Sequence, residues 1–402
     1  MRPRRLARAL RGCVFGPGRD LWELHGALAR PAGVALVTAA ERHGILDHLW
    51  SAARTAPYVH PHVIAVLEDA YAQALHARRL GLADLALVGR VLDQAQIPWA
   101  VLKGPVLAET VYQRPELRTY RDIDVLVAPE ALCDARRAIE AEGARLFGPD
   151  AERDRSDQTG QVQLTLPRGS VCDLHLHLLG HRELRRAFRL PTAGLLRRRR
   201  RVVCGAIELA ALDPVDAFIH LALDTCLTGA DRLVGLKNLD ETVRWAAPSW
   251  PEVVKRSRAT GSGLAVASML ELAREACGTP VPPGLRHELD PAGVWTRIVD
   301  LSRRLSPPVL APGGGSALAR VTRSTRPTLT ASLRQLASAS ATPLHPPSSP
   351  RPGRAGATIS GADRAVRPPG RTGRASSPSY PEQRERTAHL HAVICTQEDP
   401  AA

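Results

Sequence analysis

Apolar and polar positions follow two different periods along this chain, and the changes of period divide it. Between residues 19 and 96 apolar side chains recur at helical spacing, as in Val63, Val66, Leu67, Ala70 and Ala74, and again in Leu85, Val88, Val91 and Leu92. Ile97-Pro98-Trp99-Ala100-Val101-Leu102 is instead a short apolar run that reads as a buried strand, after which a helical pattern resumes through Val106, Leu107, Thr110 and Val111. Ile123, Val125 and Val127 fall on one side of an extended segment, opposite Asp122 and Asp124, and predict a second strand with one face in a core. Residues 129–142 read as a helix with proline in its first turn and Gly143 as its stop. Residues 161–166 and 171–177 alternate on either side of Pro167-Arg168-Gly169-Ser170, the pattern of a β-hairpin, and residues 202–212 suggest a shorter one about Gly205. Residues 213–277 are mostly helical in pattern, with Leu221, Leu233, Leu236, Leu239 and Trp245 as core candidates. From about residue 306 the chain becomes Pro, Ser, Ala, Gly and Arg without periodicity; too little apolar surface is available to offset ordering entropy, so a disordered tail is expected. The fold class this predicts is α+β: a mixed sheet core over 97–180, helical regions at 1–96 and 181–305, and a tail at 306–402.

The chemistry concentrates on the predicted strands. Asp122 and Asp124 are two apart on an extended segment, so their carboxylates share a face and repel unless a hard cation such as Mg²⁺ lies between them. Upstream, Lys103-Gly104-Pro105 joins a strand to a helix start, a junction whose free N–H groups can face an anion. Lysine is rare here, occurring only at 103, 237 and 255 among 54 basic residues, which singles out Lys103. Ordinary turn punctuation with a solvated lysine is the alternative. On the return strand of the hairpin Asp173, His175 and His177 share one face and Cys172, Leu174 and Leu176 the other. If that strand lies beside the Asp pair, Asp173 completes a three-carboxylate, two-cation site suited to phosphoryl or nucleotidyl displacement. A solvent-facing hairpin edge explains the same pattern without chemistry.

Lys103-Gly104, Tyr112, Arg118, Asp122-Ile123-Asp124 and Asp173-Leu174-His175 together resemble a bacterial nucleotidyltransferase family with a Leu-Lys-Gly, Arg-x-x-x-Asp-Ile-Asp-Leu-Leu-Val and Val-Asp-Leu-His-Trp series. That family belongs to the DNA polymerase β-like nucleotidyltransferase superfamily. The resemblance is firm over residues 97–180 and looser in the flanking helical regions. It implies a nucleotidyltransferase-type mixed sheet, with Asp122, Asp124 and Asp173 as metal ligands for Mg²⁺ or Mn²⁺ and Asp173 as a general base. Lys103 and Gly104 would hold the triphosphate of an NTP, ATP foremost, while Arg118 serves as phosphate clamp or as ion-pair strut for Asp122. His175 and Tyr112 are accessory candidates. The chain departs from the pattern at Pro105, which stands where established enzymes of the superfamily have Ser or Gly and removes an N–H donor. Leu176 replaces an aromatic residue, and Asn238 falls where the family often has an acid.

Transfer of a nucleoside monophosphate to a hydroxyl of a small molecule, protein or RNA, with release of pyrophosphate, is the leading expectation. A toxin-type enzyme that modifies RNA is a variant of it, and a non-catalytic nucleotidyltransferase-fold binding module is the alternative. A hydrolase with Asp173, His175 and His177 on Zn²⁺ or Mn²⁺ is a further one. The net charge of +14 changes the picture little: 12 Arg against 5 acidic residues from residue 306 onward place half of it in the tail. Residues 197–201 are five arginines and a second basic cluster spans 2–11, yet aromatics at 4% leave little for base stacking, so nucleic acid is not favoured as a partner. Seven cysteines without a Cys-x-x-Cys pattern read as reduced thiols of a cytoplasmic protein. No signal peptide and no membrane span are expected.

Overall fold

The structure is a computed structural model that describes residues 3–15, 19–120, 122–147, 160–230, 232–305 and 316–341. Seven strands form one sheet: β1 (Trp99–Val101), β2 (Asp122–Val127), β3 (Arg145–Leu146), β4 (Gln161–Thr165), β5 (Val171–His175), β6 (Arg200–Cys204) and β7 (Ile207–Ala211). Their order is β3-β4-β5-β2-β1-β7-β6. β2 runs parallel to β5 and β1 parallel to β7, while the other neighbours are antiparallel, so the sheet is mixed as expected.

Helices α1 (Pro3–Phe15), α2 (Arg19–Leu28), α3 (Val34–His43), α4 (Leu46–Ala53) and α5 (Pro61–Gln94) precede the sheet. α6 (Pro105–Thr110) and α7 (Leu132–Ala141) follow β1 and β2, and α8 (Arg182–Ala187) and α9 (Thr192–Arg198) lead into the β6–β7 hairpin. Then come α10 (Pro214–Leu227), α11 (Leu233–Glu241), α12 (Trp250–Thr260), α13 (Gly263–Cys277), α14 (Leu285–Leu289), α15 (Val294–Leu305), α16 (Ala317–Arg323) and α17 (Leu329–Ala341). α5 and α10 both start with proline at the first turn behind a side-chain cap, His60 and Asp213 accepting from the backbone N–H two residues on.

The two faces of the sheet are covered differently. Val101, Ile123, Val125, Val127, Cys172 and Leu174 pack against Leu85, Val88 and Leu92 of α5 and Leu132, Ala135 and Ile139 of α7. Trp99 is fully buried on that side; its Nε1 donates to Asp93 at 2.8 Å, and Gly89 admits the ring, since a Cβ there would lie 3.0 Å from two ring carbons. The opposite face buries Ala100, Leu102, Leu126 and Ala128 against Leu195 and Leu196 of α9, and the even-numbered acids of β2 continue that same face. The flanking helical regions share a third apolar core, in which Leu10, Leu49 and Leu67 join Phe218, Leu236 and Trp295.

Two expectations change. Trp245 is 52% exposed rather than buried, because residues 242–246 form a π-helical turn after α11 that shifts the register on which the helical spacing relied. Within the span expected to be a disordered tail, residues 316–341 carry α16 and α17, with Leu318 and Val321 buried and Trp295 Nε1 donating to Thr325 Oγ1 at 3.0 Å, while residues 306–315 lie outside the described residues. Four of the arginines counted with the tail, Arg320, Arg323, Arg326 and Arg334, therefore belong to the folded part, and the expectation for residues 342–402 lies outside the described residues. Three arginines of the run are ion-paired, Arg198 with Asp216, Arg200 with Asp213 and Arg201 with Asp93, at 2.8, 3.0 and 2.8 Å. Six described cysteines are free and all but Cys133 are buried. Among the described residues no helix is long and apolar enough to cross a membrane.

Candidate active site

The parallel pairing of β2 with β5 sets Asp124 directly opposite Asp173, and Asp122 opposite Val171. On a pleated pair, directly opposed residues point the same way, so Asp124 and Asp173 emerge side by side. His175 lies two residues beyond Asp173 and shares its face. The candidate ligand atoms of Asp124, Asp173 and His175 all lie within 4.8 Å of one another. The hairpin that carries Asp173 is held from below: Asp84 of α5, fully buried, accepts from the backbone N–H of Arg168 and of Ser170, each at 3.2 Å. Leu102 N–H donates to the Asp124 carbonyl at 3.0 Å and extends the β1–β2 ladder to the lysine-bearing turn.

Charge inside this cluster is uneven. Burial works against the Asp124 carboxylate, but the Lys103 ammonium and the His175 hydrogen bond overcome it and hold Asp124 below the usual carboxylate range. Asp173 goes the other way, pushed up to about 6 by burial and by the charge of Asp124, with the Gln163 side chain opposite it on β4 pulling down. Asp122 is also raised; its surface is open, but its carboxylate is partly desolvated by surrounding protein and repelled by Asp124. Asp173 Oδ1 is buried with no hydrogen-bond partner among the described residues. A buried carboxylate oxygen without a partner is costly, and a cation is one group that would satisfy it. Two carboxylates and an imidazole are a suitable donor set for a divalent ion.

Lys103 lies against this cluster, its Nζ 3.7 Å from Asp124 Oδ2 and 3.4 Å from Asp224 Oδ2, and the two acids raise its pKa above the ordinary lysine value. Gly104 follows with φ 57 and ψ −103; a Cβ there would meet nothing closer than 3.5 Å, so it is the backbone conformation, not space, that calls for glycine. Pro105 takes the first position of α6, where the helix leaves its N–H unpaired in any case.

Arg118 is not an ion-pair strut for Asp122. Its Nε donates to Asn238 Oδ1 at 3.0 Å and its Nη1 to the Thr119 carbonyl. Tyr112 is buried and donates to the same Asn238 oxygen at 2.9 Å, away from the acid cluster. The Asn238 amide oxygen accepts from both donors, as a carboxylate oxygen could. His177 does not join Asp173 and His175 on a metal: β5 ends at His175, and the His177 ring faces Thr192 Oγ1 at 3.4 Å. This removes the three-ligand hydrolase set.

Two residues escaped the sequence reading. Asp224 of α10 shares Lys103, and His220, one turn earlier, is buried with neither ring nitrogen partnered among the described residues and is lowered to about 4 by burial. Lys103, Asp124 and His175 all act on His220 electrostatically. The available signal was a His and an Asp four apart in a mostly apolar helix, which places both on one face.

Residues 34–278, well over half of the 402, match the model of a family described as uncharacterised nucleotidyltransferase. No curated protein matches the chain.

Proposed function

As this chain belongs to the uncharacterised nucleotidyltransferase family, we propose that it moves a nucleoside monophosphate from an NTP, with ATP the first to test, to a hydroxyl acceptor and releases pyrophosphate. The observation that carries this reading is the cross-strand pairing of Asp124 with Asp173 around an unpartnered buried carboxylate oxygen. Mg²⁺ or Mn²⁺ held by Asp124 and Asp173, with Asp122 beside them, would neutralise phosphate charge and stabilise the attacking and leaving oxygens. The chain's own groups supply the rest. Asp173, a carboxylate on the face of β5 beside Asp124, is the group proposed to take the proton of the acceptor hydroxyl. Lys103 can turn from its carboxylates to triphosphate oxygens, and Arg118 retains Nη2 for the same purpose. A cleft of about 390 Å³ lined by His177, Leu178, Phe188 and Arg189 begins two residues beyond His175 and offers the acceptor a place in the helical region.

The test is to incubate the protein with each labelled NTP, Mg²⁺ or Mn²⁺ and cell extract. Labelled product is expected with the wild type and is expected to fall at least about a hundredfold in Asp173→Asn, the scale of losing a general base. Undiminished label in the variant refutes the role given to Asp173. A non-catalytic binding module is the second reading, favoured by the two ion pairs that already neutralise Lys103. Absence of nucleotide binding would select it.

A pH dependence follows from Asp173. Its folded pKa, about 6, lies above the ordinary carboxylate value, so below that pH a proton occupies the oxygen a cation needs. Affinity for Mn²⁺ should fall at least about tenfold between pH 7 and pH 5, with at least one proton displaced per cation. Calorimetric titration across that range measures it; an affinity constant down to pH 5 contradicts the assignment.

A further inference from the structure

We infer that the cation of this site is ligated by an imidazole: Asp124, Asp173 and His175 form the ligand set, Asp122 stands outside it, and the site prefers Mn²⁺ or a similar first-row cation to Mg²⁺. The inference rests on the nucleotidyltransferase reading only for the expectation that a divalent cation binds. Asp173 and His175 project from one face of β5 toward the same space as Asp124 of β2, and their ligand atoms gather within 4.8 Å. Asp122 is not in that group. It is exposed, sits opposite Val171, and stands two residues, roughly 7 Å of strand, from Asp124. Asp173 Oδ1, buried and unpartnered, independently marks where an absent ligand would go.

His175 Nε2 lies 2.8 Å from Asp124 Oδ1. With the carboxylate accepting, that nitrogen carries the hydrogen. To become a ligand it must offer its lone pair, so the hydrogen moves to Nδ1, a tautomer exchange with no net gain or loss of a proton. Asp124 Oδ1, released from that hydrogen bond, is then available to the same ion. Lys103 keeps Asp224 as a partner when Asp124 turns to the cation. Mg²⁺ holds oxygen ligands and water in a strict octahedron, whereas manganese and later first-row ions accept imidazole nitrogen.

The experiment uses the full chain with Mn²⁺ alone as the probe, followed by electron paramagnetic resonance, with Mg²⁺ as competitor. Nitrogen hyperfine modulation on bound Mn²⁺ is expected, and displacement should require at least about tenfold more Mg²⁺ than Mn²⁺. His175→Gln should remove the nitrogen signal and weaken Mn²⁺ about tenfold or more, while Asp122→Asn keeps the nitrogen signal and weakens Mn²⁺ less than His175→Gln does. Bound Mn²⁺ without nitrogen modulation overturns the inference, and so does Asp122→Asn weakening the ion more than His175→Gln. Complete absence of Mn²⁺ binding overturns it together with the cation dependence of the proposed reaction. Nitrogen-ligated Mn²⁺ in a protein that transfers no nucleotide supports the ligand set and counts against the transfer alone.

Discussion

Replacing Asp124 by asparagine is expected to lower nucleotidyl transfer about a thousandfold, close to 4 kcal/mol of transition-state stabilisation, while costing the protein without added metal only modest stability. Asp124 meets His175 at 2.8 Å and Lys103 at 3.7 Å, and it faces Asp173 across the strand pair, so every charge in the cluster responds to it. Its stabilising contacts survive the exchange in part: an amide oxygen still accepts from His175, and Lys103 retains Asp224. Its repulsions do not survive, since the charge of Asp124 is a cause of the raised pKa at both Asp122 and Asp173. Asp173 should accordingly titrate below its value of about 6, although burial continues to hold it up. Label transfer, a thermal melt without metal, and carboxyl titration by nuclear magnetic resonance test the three parts. Activity within tenfold of wild type, or a melt lowered by many degrees, would sink the assignment of Asp124 to chemistry over architecture.

The largest effect on stability should come from Trp99→Ala, at about 3–5 kcal/mol by denaturant unfolding. Trp99 opens β1, is 1% exposed, and fills the space between the sheet and α5 that Gly89 leaves open. Its Nε1 also ties β1 to Asp93 near the end of that helix. Deletion leaves a cavity that neither β1, hydrogen-bonded on both edges, nor the long α5 can close by moving alone. Asp93 keeps Arg201, so the loss is mainly one of packing. A loss under about 1 kcal/mol would show that the helix and sheet are held together elsewhere.

Much of the sheet was legible because the side-chain period on a strand is two. Ile123, Val125 and Val127 were read as core and are 1%, 0% and 0% exposed. The hairpin on either side of Pro167-Arg168-Gly169-Ser170 and the shorter one about Gly205 form as expected. Trp245 was misplaced because a π-turn adds a residue to the helical repeat, and no local pattern announced it. α16 and α17 were missed because a few apolar side chains suffice when a preformed helical core receives them, which composition alone does not reveal.

In the site, the sequence by itself determined which groups share a face: Asp122 with Asp124, and Asp173 with His175, since successive strand residues must alternate. It also drew attention to a rare lysine at a turn that only glycine accommodates without strain. Tertiary structure alone decided that Asp124, rather than Asp122, stands against Asp173, because strand register is a long-range choice set by hydrogen bonding between segments some fifty residues apart. It decided, too, that Lys103 is shared with Asp224, and that Arg118 reaches Asn238 instead of an aspartate. Those contacts join residues more than a hundred positions apart, and their existence depends on how helices pack upon the sheet, a matter of shape and burial that no spacing within a single segment encodes.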